Sequence, residues 1–273
     1  MQGRTGWRYG WWCCRFVRCL RCMRRVSGGV RKLVEGVHHR LTVKGVVGTL
    51  QLDVALEFAA PWTVIFGPSG SGKSSLLRAM CGLLPDVEVE FERRDGNAWM
   101  RLDAMQTSRR KLGYAPQQAA LFPHLNVREN VAFATVQRPR GRAAWISAEQ
   151  VVEGALDMFG LQMLADHATR ELSGGEGQRV NLARAFVVPG ARLMLLDEPF
   201  SGVDRKRRDA VLPEMKAWLA DLDLPVISVT HDVDEALLLG AEVVRLDGGS
   251  VVAQGAAAVV LAEERERMLR VLG

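Results

Sequence analysis

Nowhere in this 273-residue chain do apolar residues run together for the ~20 positions that a helix needs to cross a bilayer. Charge or glycine breaks the longest apolar stretches within about ten positions, so attachment to a membrane is expected to come through a partner. Cysteine is scarce where a scaffold would need it. Of five, Cys13, Cys14, Cys19 and Cys22 crowd the beginning and only Cys81 lies beyond, which argues against a disulfide-stapled secreted fold. Acidic residues are almost missing from the same end: residues 1–40 hold ten Lys or Arg against Glu35 alone. With a formal charge of +5 overall and a surplus of nine there, the rest of the chain stands at −4, so the basic total is no sign of nucleic-acid binding. No internal repeat is present either.

The basic leader mixes Trp, Cys and Arg without helical or strand period, and residues 1–36 are expected to lack fixed structure. Arg15, Arg18 and Arg21 interrupt any signal-peptide core. Cys19 and Cys22 have zinc-like spacing, but no second pair follows at finger distance. Two accounts of the leader stay open: a true start downstream, for instance at Met23, or attraction of its Arg and Trp side chains to an anionic membrane surface.

What the body does contain is apolar pattern in quantity, 48% of the chain being hydrophobic. Leu50, Leu52, Val54, Leu56 and Phe58 alternate with small or polar residues, the period of an antiparallel strand with one wet face. Trp62–Phe66 is a continuous apolar run ending at glycine, as in a central strand covered on both sides. After Lys73 the pattern predicts a helix stopped by Pro85, then a strand through Val87, Val89 and Phe91. Between about Asn126 and Glu171 it turns helical, with capping-box spacings at Asn126/Glu129 and Ser147/Gln150. From Arg192 the order is strand, long charged helix, strand, short helix, then two strands joined at Asp247-Gly248-Gly249-Ser250 and a last helical stretch.

Three motifs carry chemistry. Gly67-Pro68-Ser69-Gly70-Ser71-Gly72-Lys73-Ser74, followed by Ser75, fits GxxxxGK[ST] between a predicted strand and a predicted helix. Glycines there let backbone N–H groups turn inward around a phosphate, Lys73 neutralises it, and the Ser74 hydroxyl suits Mg²⁺. Leu193–Glu198 ends a buried strand in two carboxylates, with Asp197 for Mg²⁺ and Glu198 to take a proton from, or orient, an attacking water. Leu172-Ser173-Gly174-Gly175-Glu176-Gly177-Gln178-Arg179 places a hydroxyl and free N–H groups at a helix start, a second anion cradle.

That third segment, LSGGE with QR after it, resembles the signature of the ABC (ATP-binding cassette) ATPases, and the resemblance covers about residues 41–260. It implies an α/β fold, a P-loop NTPase cassette with a RecA-like core, an antiparallel β subdomain and an α-helical subdomain near 119–175. The cassette would occupy 37–260 and a C-terminal helix 261–273, with no room for a regulatory β domain. Gln117 in YAPQQ matches the Q-loop residue that touches Mg²⁺ and water, with Gln118 as alternative; Ser201–Asp204 resembles the D-loop; His231 in VTHD matches the switch histidine. The resemblance further implies ATP and Mg²⁺ as cofactors and ATP hydrolysis by Glu198, His231 and Gln117. The ATP would be sandwiched in a homodimer, between one copy's Gly67–Ser74 loop and the other's Ser173–Glu176, with Ser75 and Asp204 also among the nucleotide-binding residues. It places the protein peripherally on the cytoplasmic face of the inner membrane, bound to permease subunits and served by a periplasmic or extracellular binding protein; nucleic acid is not expected.

Leu121–Leu125 looks like binding-protein-dependent importers, and Asp204–Arg208 leading to Leu212-Pro213 looks like the molybdate-importer type. Molybdate or a related oxyanion is therefore the expected cargo. Iron, sulfate or polyamine import, an exporter cassette, and a soluble non-transport ATPase are the alternatives. Two departures stand out. No aromatic lies near Thr49–Leu52 to stack on adenine, leaving Leu50, another apolar residue or Trp62, and Gly177 replaces a long side chain in the signature.

Overall fold

The computed structural model describes residues 39–135 and 148–272. The leader and the Ser147/Gln150 capping spacing, which turns on Ser147, lie outside the described residues. The strands are β1 (His39–Val47), β2 (Leu50–Phe58), β3 (Trp62–Phe66), β4 (Glu88–Asp95), β5 (Ala98–Arg101), β6 (Leu112–Ala115), β7 (Leu193–Asp197), β8 (Val226–Thr230), β9 (Glu242–Asp247) and β10 (Ser250–Ala256). The helices are α1 (Lys73–Met80), α2 (Val127–Ala132), α3 (Ala148–Met158), α4 (Gly174–Phe186), α5 (Arg205–Asp221), α6 (Val233–Leu239), α7 (Ala257–Val260) and α8 (Ala262–Leu272).

The described residues fall into two compact units. The first takes in 39–118, 192–201 and 224–272 and holds all ten strands in one sheet of order β5-β4-β1-β2-β10-β9-β3-β8-β7-β6. Two pairing rules meet in it. β1 lies antiparallel between β2 and β4, whereas β3, β8, β7 and β6 run parallel. Sequence pattern explains the division: β3, β7 and β8 are buried at every residue, as strands covered on both faces must be, while β2 alternates and wets one face. The core between sheet and α1 is built from Leu52, Val54, Ile65, Leu76, Leu77, Met80, Leu195 and Val229, all at most 2% exposed.

α1 stops earlier than the sequence predicts. Gly82, at φ 72°, ends it: Gly82 N–H bonds to Ala79 O and Leu83 N–H reaches back to Arg78 O at 2.9 Å. Pro85 lies beyond that stop. The buried Arg110 donates to Met80 O at 2.8 Å, satisfying a carbonyl at the same helix end. β9 and β10 turn at Gly248 and Gly249, both with positive φ, as a two-residue hairpin requires.

The second unit takes in 119–135, 148–191 and 202–223, reaching past the expected 119–175. Phe186 meets Phe159 edge-on and stacks on Trp218, joining α4 to α5 and to the end of α3. α2 begins at the expected capping box, with Glu129 N–H bonding Asn126 Oδ1 and Asn126 N–H bonding Glu129 Oε2. α5 runs through Pro213 unbroken.

Candidate active site

β3 delivers the chain into the glycine-rich loop, and the loop's shape shows why glycine is needed there. A Cβ on Gly67 would collide with the carbonyl of Leu246, and Gly72 holds φ 99° against the side chains of Leu52 and Leu50. Gly70, at φ 83°, has open space around its Cα, while Pro68 and Ser69 are exposed. Ser71 is buried and its N–H closes the turn onto Pro68 O at 3.2 Å; Ser75 is half-buried on α1. Lys73 folds its ammonium onto Gly67 O (2.9 Å) and Pro68 O (2.7 Å). Burial pushes its pKa down, and the charges of Glu198 and Asp197 oppose that. The ammonium thus sits at the mouth of the loop on carbonyls that a stronger anionic acceptor can replace.

β7 brings the two carboxylates beside this loop. Asp197 is 3% exposed and accepts the Ser74 hydroxyl at 3.0 Å. Burial raises its pKa; the Ser74 bond pulls it back and the charge of Glu198 adds to the rise. Glu198 has φ 45°, a left-handed conformation for a residue with a Cβ, and its N–H is tied to Val229 O at 3.0 Å. Its carboxylate takes two contacts: Gln117 Nε2 donates to Oε2 at 3.0 Å, and His231 Nδ1 stands 3.3 Å from Oε1. It is Gln117, not Gln118, that reaches it. Lys73, Ser74, Gln117, Asp197, Glu198 and His231 therefore converge in the first unit, at the ends of β3, β6, β7 and β8.

Ser173–Glu176 and Asp204 belong to the second unit and are not part of that cluster. Ser173 caps α4: its N–H (2.8 Å) and hydroxyl (2.7 Å) donate to Glu176 Oε2, and Glu176 N–H returns to the hydroxyl at 3.3 Å. Those bonds, the hydroxyl first, lower the pKa of Glu176. A Cβ on Gly174 would meet open space, but one on Gly175 would stand 2.8 Å from Gly202 O, so a bare Cα is required where signature and D-loop meet. Asp204 caps α5 by accepting Arg207 N–H at 2.9 Å.

Both expectations about the departures now have an answer in part. Trp62 is 6% exposed with its indole N–H on Ser228 Oγ at 2.8 Å, so it is core and offers no surface to a base. Leu50 is half-buried beside Gly72. Gly177 faces Leu121 and Ala119 with room for a methyl group. One residue escaped the sequence reading: Asn130, 0% exposed, whose amide accepts Phe122 N–H at 2.8 Å and donates to Phe122 O, Leu125 O and Asn126 O. Its neighbour Glu129 gave the helix-start signal, but a polar residue at a core-facing helical position was the sign to read.

The family described as ABC transporter matches residues 53–201. The chain belongs to the ABC transporter family. The molybdenum import ATP-binding protein ModC 1 of Azotobacter vinelandii is 38% identical over 231 residues, 84% of this cassette chain and 62% of the relative. The ModC protein of Rhodopseudomonas palustris is 38% identical over 78% of the cassette chain and 55% of its own length. This ABC chain thus spans less than two thirds of those relatives. It covers 83% of the molybdate/tungstate import ATP-binding protein WtpC of Archaeoglobus fulgidus, at 36% identity. Among solved structures, the ATP-binding cassette MJ0796 is similar in two dimeric forms. A post-hydrolysis state bound to ADP and Pi gives TM-score 0.67 at 28% identity, and a second dimer gives 0.68 at 27%; each match covers 80% of this chain and 98% of the other.

Proposed function

We propose that this chain is the ATP-hydrolysing subunit of an importer for molybdate or a related oxyanion such as tungstate. The observation that carries the ATPase reading is the convergence of Lys73, Ser74, Gln117, Asp197, Glu198 and His231 at one sheet end. The oxyanion reading rests on the import proteins whose sequences it resembles.

In this reading the loop from Gly67 to Ser75 wraps the β- and γ-phosphates of ATP, and Lys73 exchanges its carbonyl partners for them. Among the described residues no group of three or more His, Cys, Asp or Glu is poised to hold a metal. The Ser74 hydroxyl, the Asp197 carboxylate and the side-chain oxygen of Gln117 are the oxygen donors that would hold Mg²⁺. Mg²⁺ supplies neutralisation of phosphate charge when bound. Glu198 receives the proton of the attacking water or orients it, and His231 and Gln117 hold that carboxylate and meet the γ-phosphate side. A second copy contributes Ser173, Gly174, Gly175 and Glu176 to the other side of the nucleotide, with Asp204 at the seam, in keeping with the dimeric cassettes it resembles.

In this reading separate permease subunits supply the transport path and this chain sits peripherally on the cytoplasmic face; no helix among the described residues is long and apolar enough to cross a membrane. A binding protein on the other side would deliver the ion. Two experiments test the reading. Glu198→Gln is expected to bind ATP, accumulate as a nucleotide-bound dimer on gel filtration and lose turnover by about a hundredfold or more; normal hydrolysis would remove Glu198 from its role. Cells lacking the gene should lose high-affinity molybdate uptake while sulfate uptake persists; unchanged molybdate uptake would reject the cargo.

A further inference from the structure

His231 poses a physical problem. Its side chain is 68% exposed, so packing does not hold it, yet Nδ1 stands 3.3 Å from the carboxylate of Glu198. An exposed imidazole without packing neighbours to fix it would sample many rotamers. What fixes it has to act through the backbone on either side.

The preceding residue ends β8 and the following one, Asp232, caps α6, and a ring of hydrogen bonds joins them across His231. Glu235 is 3% exposed in the first turn of α6 and accepts the Thr230 hydroxyl at 3.1 Å. The same hydroxyl accepts Asp232 N–H at 3.1 Å, and Asp232 Oδ1 accepts Glu235 N–H at 3.2 Å. Two other helices in this protein show the usual arrangement, in which the glutamate three residues into the helix takes the N-cap N–H directly: Glu129 does so for Asn126 and Glu176 for Ser173. At α6 a threonine hydroxyl is inserted between glutamate and N-cap N–H. Capping alone gives no reason for that insertion or for burying a carboxylate. Its structural effect is to lock the end of a buried strand to the start of a helix with a single exposed residue between them.

We infer that Glu235 is a positioning residue for ATP hydrolysis, acting through Thr230 and Asp232 to hold the His231 imidazole on Glu198. This rests on the proposed role of His231. Strand β8 supplies the fixed reference, since Thr230 is 3% exposed and in register with Phe66 of β3, while Val229 O holds the Glu198 N–H. The brace therefore ties both members of the His231–Glu198 contact to one strand.

The test is steady-state ATP hydrolysis with Mg²⁺ by the full chain, at a protein concentration where the specific rate no longer rises, after each variant has been checked by circular dichroism. Glu235→Ala and Thr230→Val should lower kcat by about tenfold with KM for ATP unchanged. Glu235→Gln, whose amide oxygen still accepts the Thr230 hydroxyl, should stay within about threefold of wild type. Most decisive is His231→Ala: adding Glu235→Ala to it should cost nothing further, because both remove one interaction. A second, equal loss in that background would show Glu235 acting on the fold at large and overturn the inference. So would wild-type kcat in Glu235→Ala and Thr230→Val when His231→Ala is impaired. Wild-type kcat in His231→Ala itself would instead defeat the role given to His231, and the brace with it. Should Glu235→Ala fail to fold, Thr230→Val with and without His231→Ala makes the same comparison.

Discussion

The chemistry proposed for this protein turns on one strained residue, Glu198. A side chain with a Cβ in the left-handed region costs on the order of 1 kcal/mol, and here the backbone is held there by its bond to Val229 O while Asp197 sits next to it. Such strain persists only where the surroundings over-determine it, and the reward is a carboxylate set between Gln117 and His231. Glu198→Gly should relieve both the strain and the repulsion from Asp197. We expect it to raise nucleotide-free stability by about 1 kcal/mol in urea unfolding while hydrolysis disappears. A variant less stable than wild type would mean that the two side-chain contacts outweigh the strain.

At the scale of elements, α4 shows a helix start shaped for contact at the expense of helix strength. Its first turn begins Gly174-Gly175 and continues through Gly177, three residues of poor helix propensity in four. Gly175 has a reason, the close approach of Gly202 O, and the capping box of Ser173 and Glu176 compensates for part of the weakness. Gly177 has no such reason. A Cβ there would meet Leu121 and Ala119 at 3.7 and 3.8 Å, ordinary contact distances. Gly177→Ala is accordingly predicted to stabilise the protein by about 0.5–1 kcal/mol, read as a higher thermal midpoint, with ATP hydrolysis retained. α5 runs the other way. Pro213 removes one N–H from its middle, and the helix still completes 17 residues because Val211, Leu212, Met215 and Trp218 are buried along it.

For the whole molecule, the decisive feature is that the phosphate loop and the signature lie in different compact units, with Ser173 capping its own helix through Glu176. In the proposed dimer the Ser173 hydroxyl must leave Glu176 for a phosphate of the nucleotide bound by the other copy. Ser173→Arg fills that place without touching Lys73. It should leave nucleotide affinity of the monomer within about threefold while ATP no longer drives dimerisation and turnover falls by about a hundredfold. Analytical ultracentrifugation with and without ATP decides it: an ATP-dependent dimer of normal activity would exclude the two-copy site.

The amino-acid sequence by itself determined the order of the strands and helices that carry the motifs, the antiparallel and parallel halves of the sheet, and the place of Lys73, Ser74, Asp197 and Glu198 at strand ends, while Gln117 and His231 were expected from the resemblance to the ABC ATPases alone. Short-range rules govern those features: side-chain period, glycine where the backbone must turn, and carboxylates at the end of an apolar strand. Tertiary structure alone decided the rest. It buried Trp62 against Ser228, ended α1 at Gly82 with Arg110 bonded to the carbonyl of Met80, chose Gln117 over Gln118, and tied Thr230 to Glu235 across His231. Each of these turns on where a polar atom finds its partner once the sheet is assembled. Burial makes such bonds compulsory without encoding them in any local pattern.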